Sequence, residues 1–491
     1  MKTLLTPTLT MLLNLLSVVQ SYRLLPRNSD LFITISSSLS RHEGRTVSRQ
    51  VELHWSPDVV TTDDKIALFR QHPIDSPGVK SIFEVTHPLT SSGNYKMPVM
   101  MPYLNFSESQ TLGNGSCVNL FIALVSSNGT PLAVNCLRIQ SHWMSNMRNQ
   151  LWDAPLNKVL IPGSHNAGAY RQFSSDKSNN LLTRYSFCQD EDVWTQLAFG
   201  IRFLDIRVGY YLNKPVPSPF YVNHDFVRIR NLLPILEDVQ KFLDQTDEIV
   251  ILDLHRFPSG FSRDTADDVH EQLVGILQSM FGDLMAPRYW KETVPLGQLW
   301  SSGRRLVVGY ADAHMRKKYD FLWHDVVHKW ADAQKLSELE EYAKRVAHNI
   351  RSSRFLSALM LSMTLPTMQM VTNPLGSVRT VADLVNRAVP QWFREIKDFR
   401  DNLNVACVDY FLGSDIVSLA IQVNDLRYPP RSDWVPPKNY TAMTTTARPV
   451  VKLDEEGARG DSSDGFFGRT LRRFVKLLDP SIEKYLRKKR K

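Results

Sequence analysis

The sequence predicts an all-β sandwich followed by an irregular eight-fold α/β barrel. Three observations predict it. At 491 residues the chain is too long for one ordinary core. Residues 22–140 hold short runs rich in β-branched and aromatic residues, separated by turn clusters. Residues 145–428 hold near-continuous apolar runs that alternate with helical stretches, the pattern of a parallel sheet buried on both faces. A barrel fits the length, with a doubly wound open sheet as the alternative. Neither GxGxxG nor a Walker loop occurs, so nucleotide-binding versions of that alternative lack support.

Residues 1–21 read as a signal peptide. One lysine precedes an apolar run, and small residues place the cut after Ser21, with Val19 at the −3 position. The run is short and broken by Thr, Pro, Asn and Ser, which disfavours an anchor. A secreted, extracellular protein is the expectation. In 22–140, "LFITIS", "RQVELHWS", "KIALFR", "SIFEVT", "NLFIALV" and "PLAVNCLRI" are the candidate strands, read as a packing or docking module without chemistry of its own. Cys117 and Cys136 stand nearly symmetrically about a Ser-Asn-Gly turn, so a disulfide across a hairpin is expected. Cys188 and Cys407 are left over, and sequence does not fix whether they pair. Asn105, Asn114, Asn128 and Asn439 are glycosylation acceptors, in keeping with secretion.

The barrel strands are read in "KVLIPGS", "IRFLDIRV", "EIVILDLHRF", "RRLVVGYA", "ALMLSMTL" and "NVACVDYF". Residues 429–465, rich in Pro, Thr, Ser and acidic residues, read as a disordered linker. Residues 466–491 hold ten Lys/Arg against two Asp/Glu, so this tail carries a charge equal to the whole formal net charge of +8. The body is therefore near neutral, which excludes a nucleic-acid-binding domain. Phe467, Leu471, Phe474 and Leu478 follow helical spacing among the basic residues. The tail reads equally as an amphipathic helix for an anionic membrane surface or as a solvated end.

Catalytic side chains collect at barrel strand ends. Those ends offer His165, Asp205, Arg207, His224, His255 and Asp409. Two histidines and an arginine suit phosphoryl chemistry without a metal. One imidazole removes a proton from the attacking hydroxyl and the other protonates the leaving oxygen. A guanidinium neutralises the non-bridging oxygens, and a carboxylate fixes the tautomer of the base. Taken singly, each histidine is as well read as a core or surface residue, and Asp205 with Arg207 as a buried ion pair. Gly163 and Ser164 read as the small residues that let the chain turn tightly and leave room for a phosphate.

"IPGSHNAGAY", "VWTQLAFGIRFLDIRV" and "VNHDF…LPILEDVQKFLDQTDEIVILDLHRF" resemble, in order and spacing, the X-region of phosphatidylinositol-specific phospholipase C, and in particular the small eukaryotic proteins named for that domain. "ALMLSMTLP" and "NVACVDYFLGSDIVSLAIQVN" resemble its closing strands. The resemblance covers roughly 145–428. It implies a distorted TIM barrel and cleavage of a lipid phosphodiester, at a membrane surface, by the substrate's own neighbouring hydroxyl. It implies that His165 is the general base, that His224 is the general acid, and that Asp409 orients His165. Calcium-dependent members carry two acidic ligands in the segment matching "GIRFLDIRV"; here they fall on Asp205 and Arg207, and bacterial metal-free members have arginine at the second. His255 stands at another position that is acidic in the calcium enzymes. The expectation is therefore no metal and no cofactor. Asn166 departs from the bacterial aspartate; it is expected to donate its NH2 to a phosphate oxygen or an inositol hydroxyl but supplies no charge to the acid, a role left to Asp225 or Asp205. His255 is likewise expected to touch substrate. The competing readings are a secreted lipid- or glycan-binding protein without turnover and a calcium-dependent phosphodiesterase.

Overall fold

The computed structural model describes residues 31–56, 63–85, 93–104, 115–172, 181–212, 217–225, 227–262, 266–350, 353–365 and 376–435. Residues 1–21, read above as a signal peptide, lie outside them, as do Asn105, Asn114, Asn439, most of the stretch 429–465 and the basic tail.

Nine antiparallel strands come first: β1 (Leu31–Ile35), β2 (Ser40–His42), β3 (Arg45–Val47), β4 (Gln50–Trp55), β5 (Lys65–Phe69), β6 (Phe83–Val85), β7 (Gly93–Met100), β8 (Cys117–Val125) and β9 (Pro131–Arg138). They form a three-stranded sheet β1-β4-β7, a four-stranded sheet β6-β5-β8-β9 and the small ribbon β2-β3. Leu31, Ile33, Val51 and Leu53 of the first sheet share one core with Ile66, Leu68, Ile122 and Leu124 of the second. Period-2 alternation places these residues on one face of each strand. The other face of β1-β4 is buried too, because it docks on the second half of the chain. There Glu52 pairs with Arg387 at 2.9 Å and Ser36 donates to Asp383 at 2.9 Å. The expected Cys117–Cys136 disulfide is present, whereas Cys188 and Cys407 are buried free thiols. Asn128 is exposed at the β8–β9 turn.

The second half holds β10 (Ile161–Ser164), β11 (Phe203–Tyr210), β12 (Phe220–His224), β13 (Val227–Asn231), β14 (Val250–Ser259), β15 (Leu306–Tyr310), β16 (Leu322–His324), β17 (Val327–Lys329), β18 (Ser357–Leu361) and β19 (Val405–Val408). Eight of them run parallel in the order β16-β15-β14-β11-β10-β19-β18-β17. The first strand of the set therefore lies beside the last, as in a TIM barrel. Between β16 and β17 no ladder is recorded among the described residues. The Asp253 carboxylate spans that seam instead, accepting from the Val326 amide at 3.1 Å and pairing with His328 Nε2 at 3.1 Å. Gly309 makes room for it, since a Cβ there would collide with Asp253 Oδ1.

Two expectations are corrected. The strand that ends in His224 is not a barrel strand. β12 pairs antiparallel with β11 and β13 as an appended hairpin. The stretch 211–219 between β11 and β12 is too short for a parallel crossover. Gly163 does not make a turn: it lies in β10, where a Cβ would stand 2.6 Å from Phe203 Cδ1. Ser164 donates to Gln196 Oε1 at 2.7 Å. Gly163 is small because Phe203 fills the barrel interior beside it, and Ser164, on the opposite face of the strand, is committed to the helix Val193–Phe199. The described start of the linker is held as well, with Arg431 donating to the Asn149 carbonyl at 2.8 Å and Trp434 against Trp152. Among the described residues no helix is long and apolar enough to cross a membrane.

Gly163→Ala is expected to destabilise the chain by about 1–3 kcal/mol through overpacking against Phe203. Urea denaturation measures it, and an unchanged midpoint contradicts this account of the glycine.

Candidate functional site

His165 directly follows β10, Arg207 stands in β11, His255 in β14, and Asp409 directly follows β19. With His224 of the hairpin they line one cavity of about 660 Å³. The chain turns beneath it at Asn166, whose φ of +41° lies in the left-handed region that asparagine tolerates better than most residues. The Asn166 amide donates to Asp205 Oδ2 at 3.0 Å, which locks the turn to β11.

The His165 ring is held at both nitrogens. Nδ1 lies 2.7 Å from Asp409 Oδ1. An ionised carboxylate only accepts, so Nδ1 carries the proton and Nε2 is the acceptor. Arg207 Nη2 donates to Nε2 at 2.7 Å. Asp205 holds Arg207 from beneath at 3.5 Å, and Asp225 lies 3.7 Å from Nη1 on the open side. Burial opposes charge on both members of the Asp205–Arg207 pair. Their mutual attraction overcomes it, keeping the Asp205 carboxyl below its usual range with help from His328, His165 and His255, and raising Arg207.

His224 stands edge-on to His165, ring centroids 6.4 Å apart. Its Nδ1 donates to the Ser186 carbonyl at 3.0 Å, leaving Nε2 unprotonated in the neutral ring. Burial and then Arg207 pull its pKa down to about 4, against the pull of Asp225. The site thus presents two imidazoles beside a permanent positive charge, and the His224 ring is neutral at neutral pH.

Asp205 and Asn166 do not line the cavity. Asp205 is fully buried below Arg207, and Asn166 donates its NH2 to the Asn223 carbonyl at 3.3 Å instead of facing a ligand. His255 does line it, stacked on His328 with centroids 3.5 Å apart. Burial and then His328 lower the His255 pKa. Tyr310 and Trp323 are core residues. Three cavity groups escaped the sequence reading. His328 comes from a three-residue strand too short to announce itself. Trp330 forms a flat wall, its ring centroid 5.1 Å from that of His165. Cys188 lies beside Asp409 as an uncharged thiol, its pKa raised by burial. Only Trp330 carried a signal, as a tryptophan two residues after a histidine in "DVVHKW".

The residues present do not fit a calcium ion, which takes six to eight oxygens. Asn166 Oδ1 and Asp205 Oδ1 are buried oxygens without a hydrogen-bond partner, but the Arg207 guanidinium already stands 3.5 Å from the Asp205 carboxylate. Asp253, His255 and His328 gather three donors. The two imidazole planes are only 9° from parallel, so their in-plane lone pairs do not converge on one point. In the other such cluster, His165, Cys188 and Asp409, the Nδ1–H of His165 is already given to Asp409.

Strand order and cavity together define a TIM-like barrel with two histidines and an arginine at its mouth. Curated homologues of the chain are PI-PLC X domain-containing proteins 1, 2 and 3. Protein 1 of Homo sapiens is 29% identical over 238 residues, 44% of this chain and 71% of the relative. Protein 1 of Danio rerio is 26% identical over 308 residues, 58% of this chain and 96% of the relative. Protein 3 of Mus musculus is 24% identical over 307 residues, 57% and 92%. No profile of a known protein family matches the chain. Similar solved structures include phosphatidylinositol-specific phospholipase C from Listeria monocytogenes, at 17% identity and a TM-score of 0.41 over 58% of this chain and 98% of that one. A point mutant of the Staphylococcus aureus enzyme gives 18% and 0.43, over 58% and 97%.

The lowered pKa of His224 has a consequence for stability. Below about 6.5 the unfolded chain takes up a proton that the folded ring refuses until about 4, so stability present above that window is lost as the pH falls through it. The loss is on the order of 1–3 kcal/mol for this group. His54, buried and lowered to about 3, adds to the same slope. Urea denaturation at pH 7 and pH 4.5 is expected to show a smaller acid loss in His224→Gln than in the wild type; equal losses contradict the assignment.

Proposed function

We propose that the protein is a secreted, metal-independent phospholipase C-like phosphodiesterase that cleaves an inositol phospholipid or a related lipid phosphodiester. The observation that carries this reading is the pair of imidazoles facing one cavity across the Arg207 guanidinium. The lipid's phosphate takes the contact that Arg207 gives to His165 in the free site. His165 Nε2, freed from that contact, removes the proton from the neighbouring ring hydroxyl. The hydroxyl oxygen bonds to phosphorus, the bond to the diacylglycerol oxygen breaks, and His224 protonates that oxygen. The products are a cyclic inositol phosphate and diacylglycerol. Arg207 neutralises the non-bridging oxygens in a two-point contact. Trp330 and His255 offer walls for the ring, and the names of the curated relatives support the substrate class.

His224 must hold a proton to act as the acid. A bound phosphate supplies the negative charge that counters Arg207 and raises the pKa of that ring. Its limb is therefore expected near pH 4 in kcat/KM and higher in kcat. Secretion is supported by the opening 21 residues, the Cys117–Cys136 disulfide and the exposed acceptor Asn128. The basic tail suits contact with an anionic membrane surface.

A second reading, a lipid- or glycan-binding protein without turnover, is favoured by the neutral His224 and by Asn166 in place of a carboxylate. Purified protein with phosphatidylinositol vesicles in excess chelator separates the two. The expected result is turnover that survives chelation and falls about 10²–10⁴-fold in His165→Ala. Turnover abolished by chelation, or unaltered in His165→Ala, contradicts the proposal; no turnover in the wild type leaves the binding reading.

A further inference from the structure

We infer that Arg49 of the β-sandwich is a positioning residue of the barrel cavity, acting through the segment 186–191. The inference rests on the reading of the site given above.

Four successive residues of that segment hold three of the cavity's groups. The Ser186 carbonyl fixes His224 Nδ1 at 3.0 Å. The Phe187 carbonyl accepts from the Tyr410 hydroxyl at 2.6 Å, and the Cys188 carbonyl from the Tyr410 amide at 2.7 Å, directly after Asp409. Gln189 Nε2 donates at 3.0 Å to the His165 carbonyl and at 3.0 Å to the Val408 carbonyl, on either side of the site, and its Oε1 accepts from the Phe411 amide at 3.2 Å. The general base, the general acid and the carboxylate that orients the base therefore hang from one irregular stretch of backbone.

Two buried carboxylates that follow anchor the stretch. Asp190 pairs with Arg379 of the helix Val378–Glu395, which also donates to the Ser37 carbonyl of the sandwich at 3.0 Å. Glu191 pairs with Arg49, and both side chains are almost fully buried. Arg49 is itself fixed from within the sandwich. It donates to the Met101 carbonyl at 3.0 Å and the Pro102 carbonyl at 3.2 Å, and its guanidinium lies 4.2 Å from the centroid of the Tyr103 ring. A planar fork held at three points transmits position where a single flexible contact does not. Elsewhere the connection is weaker or missing: Arg379, which holds Asp190, reaches the sandwich through the Ser37 carbonyl alone, and Glu52 with Arg387 joins the same two layers without touching 186–191.

The test uses the full chain. Arg49→Met/Glu191→Gln removes both charges and leaves no buried ion unpaired; Glu52→Gln, which leaves Arg387 with Asp383, breaks the other contact between the two layers as a control. The readouts are kcat on phosphatidylinositol vesicles, the melting temperature and the NMR titration of the His224 ring. Arg207, Asp225, His165 and Asp409 face that ring. The expected result in Arg49→Met/Glu191→Gln is a His224 midpoint moved up from about 4 toward the ordinary histidine value, as a ring no longer held by the Ser186 carbonyl leaves its buried place beside Arg207. With it comes a kcat about 100-fold lower at a nearly unchanged KM. The control keeps the wild-type midpoint and kcat at a similar melting temperature. A midpoint that does not move, or moves equally in the control, overturns the inference. If the wild type turns over no lipid, the titration alone decides it, and the missing turnover counts against the functional proposal only.

Discussion

The site depends on one buried ion pair. A guanidinium in a barrel interior loses its water, and a buried carboxylate beside it offsets that cost. Asp205 is that carboxylate: fully buried, 3.5 Å from Arg207 and also bound to the Asn166 amide. The pair ties the β10 turn to β11 and puts a permanent positive charge beside His165. Burial and then the field of that charge lower the pKa of His224. Removing Asp205 would leave a buried cation uncompensated and release the turn that carries His165, so the charge and the geometry are not separable.

Around that pair the scaffold is assembled from unlike parts. Three groups come from parallel barrel strands or the residues directly after them: His165, Arg207 and Asp409. The fourth, His224, comes from an antiparallel hairpin hung on the edge of β11. The barrel ladder is interrupted between β16 and β17, where Asp253 takes over the role of backbone hydrogen bonds. That arrangement brings His328 and His255 face to face in the cavity wall. The sandwich is joined to this body by buried ion pairs, not by an apolar contact alone. Buried pairs of this kind are weak evidence for stability and better understood as setting the geometry between layers.

The legible part of the fold was what local pattern controls. Apolar runs such as "VILDL" and "NVACV" announced buried parallel strands, and with them the barrel class. The near-symmetric Cys117 and Cys136 announced their bridge. His165, Arg207, His255 and Asp409 could be picked out because strand ends converge on one mouth whatever the loops do. What depends on distant partners was not legible. Only the pairing of β12 shows that His224 sits on a hairpin. Gly163 was read as a turn residue because nothing in its neighbours reveals Phe203 across the sheet. Asn166 was expected to meet a ligand, but the turn that needs its left-handed backbone also turns its amide toward Asn223. His328 escaped because a three-residue, half-buried strand has no period to detect. Residues 186–191 escaped because carbonyl groups, which every sequence has, make the contacts of Ser186, Phe187 and Cys188, and because the partners of Gln189, Asp190 and Glu191 are distant in sequence.

The central claim is that a guanidinium does in this cavity what a metal ion does in calcium-dependent enzymes. The most direct measurement is turnover of phosphatidylinositol by Arg207→Ala, with no addition, with free guanidinium and with calcium. The account predicts a loss of several orders of magnitude, partial recovery with guanidinium and none with calcium. Full turnover in Arg207→Ala, or recovery with calcium, would contradict it.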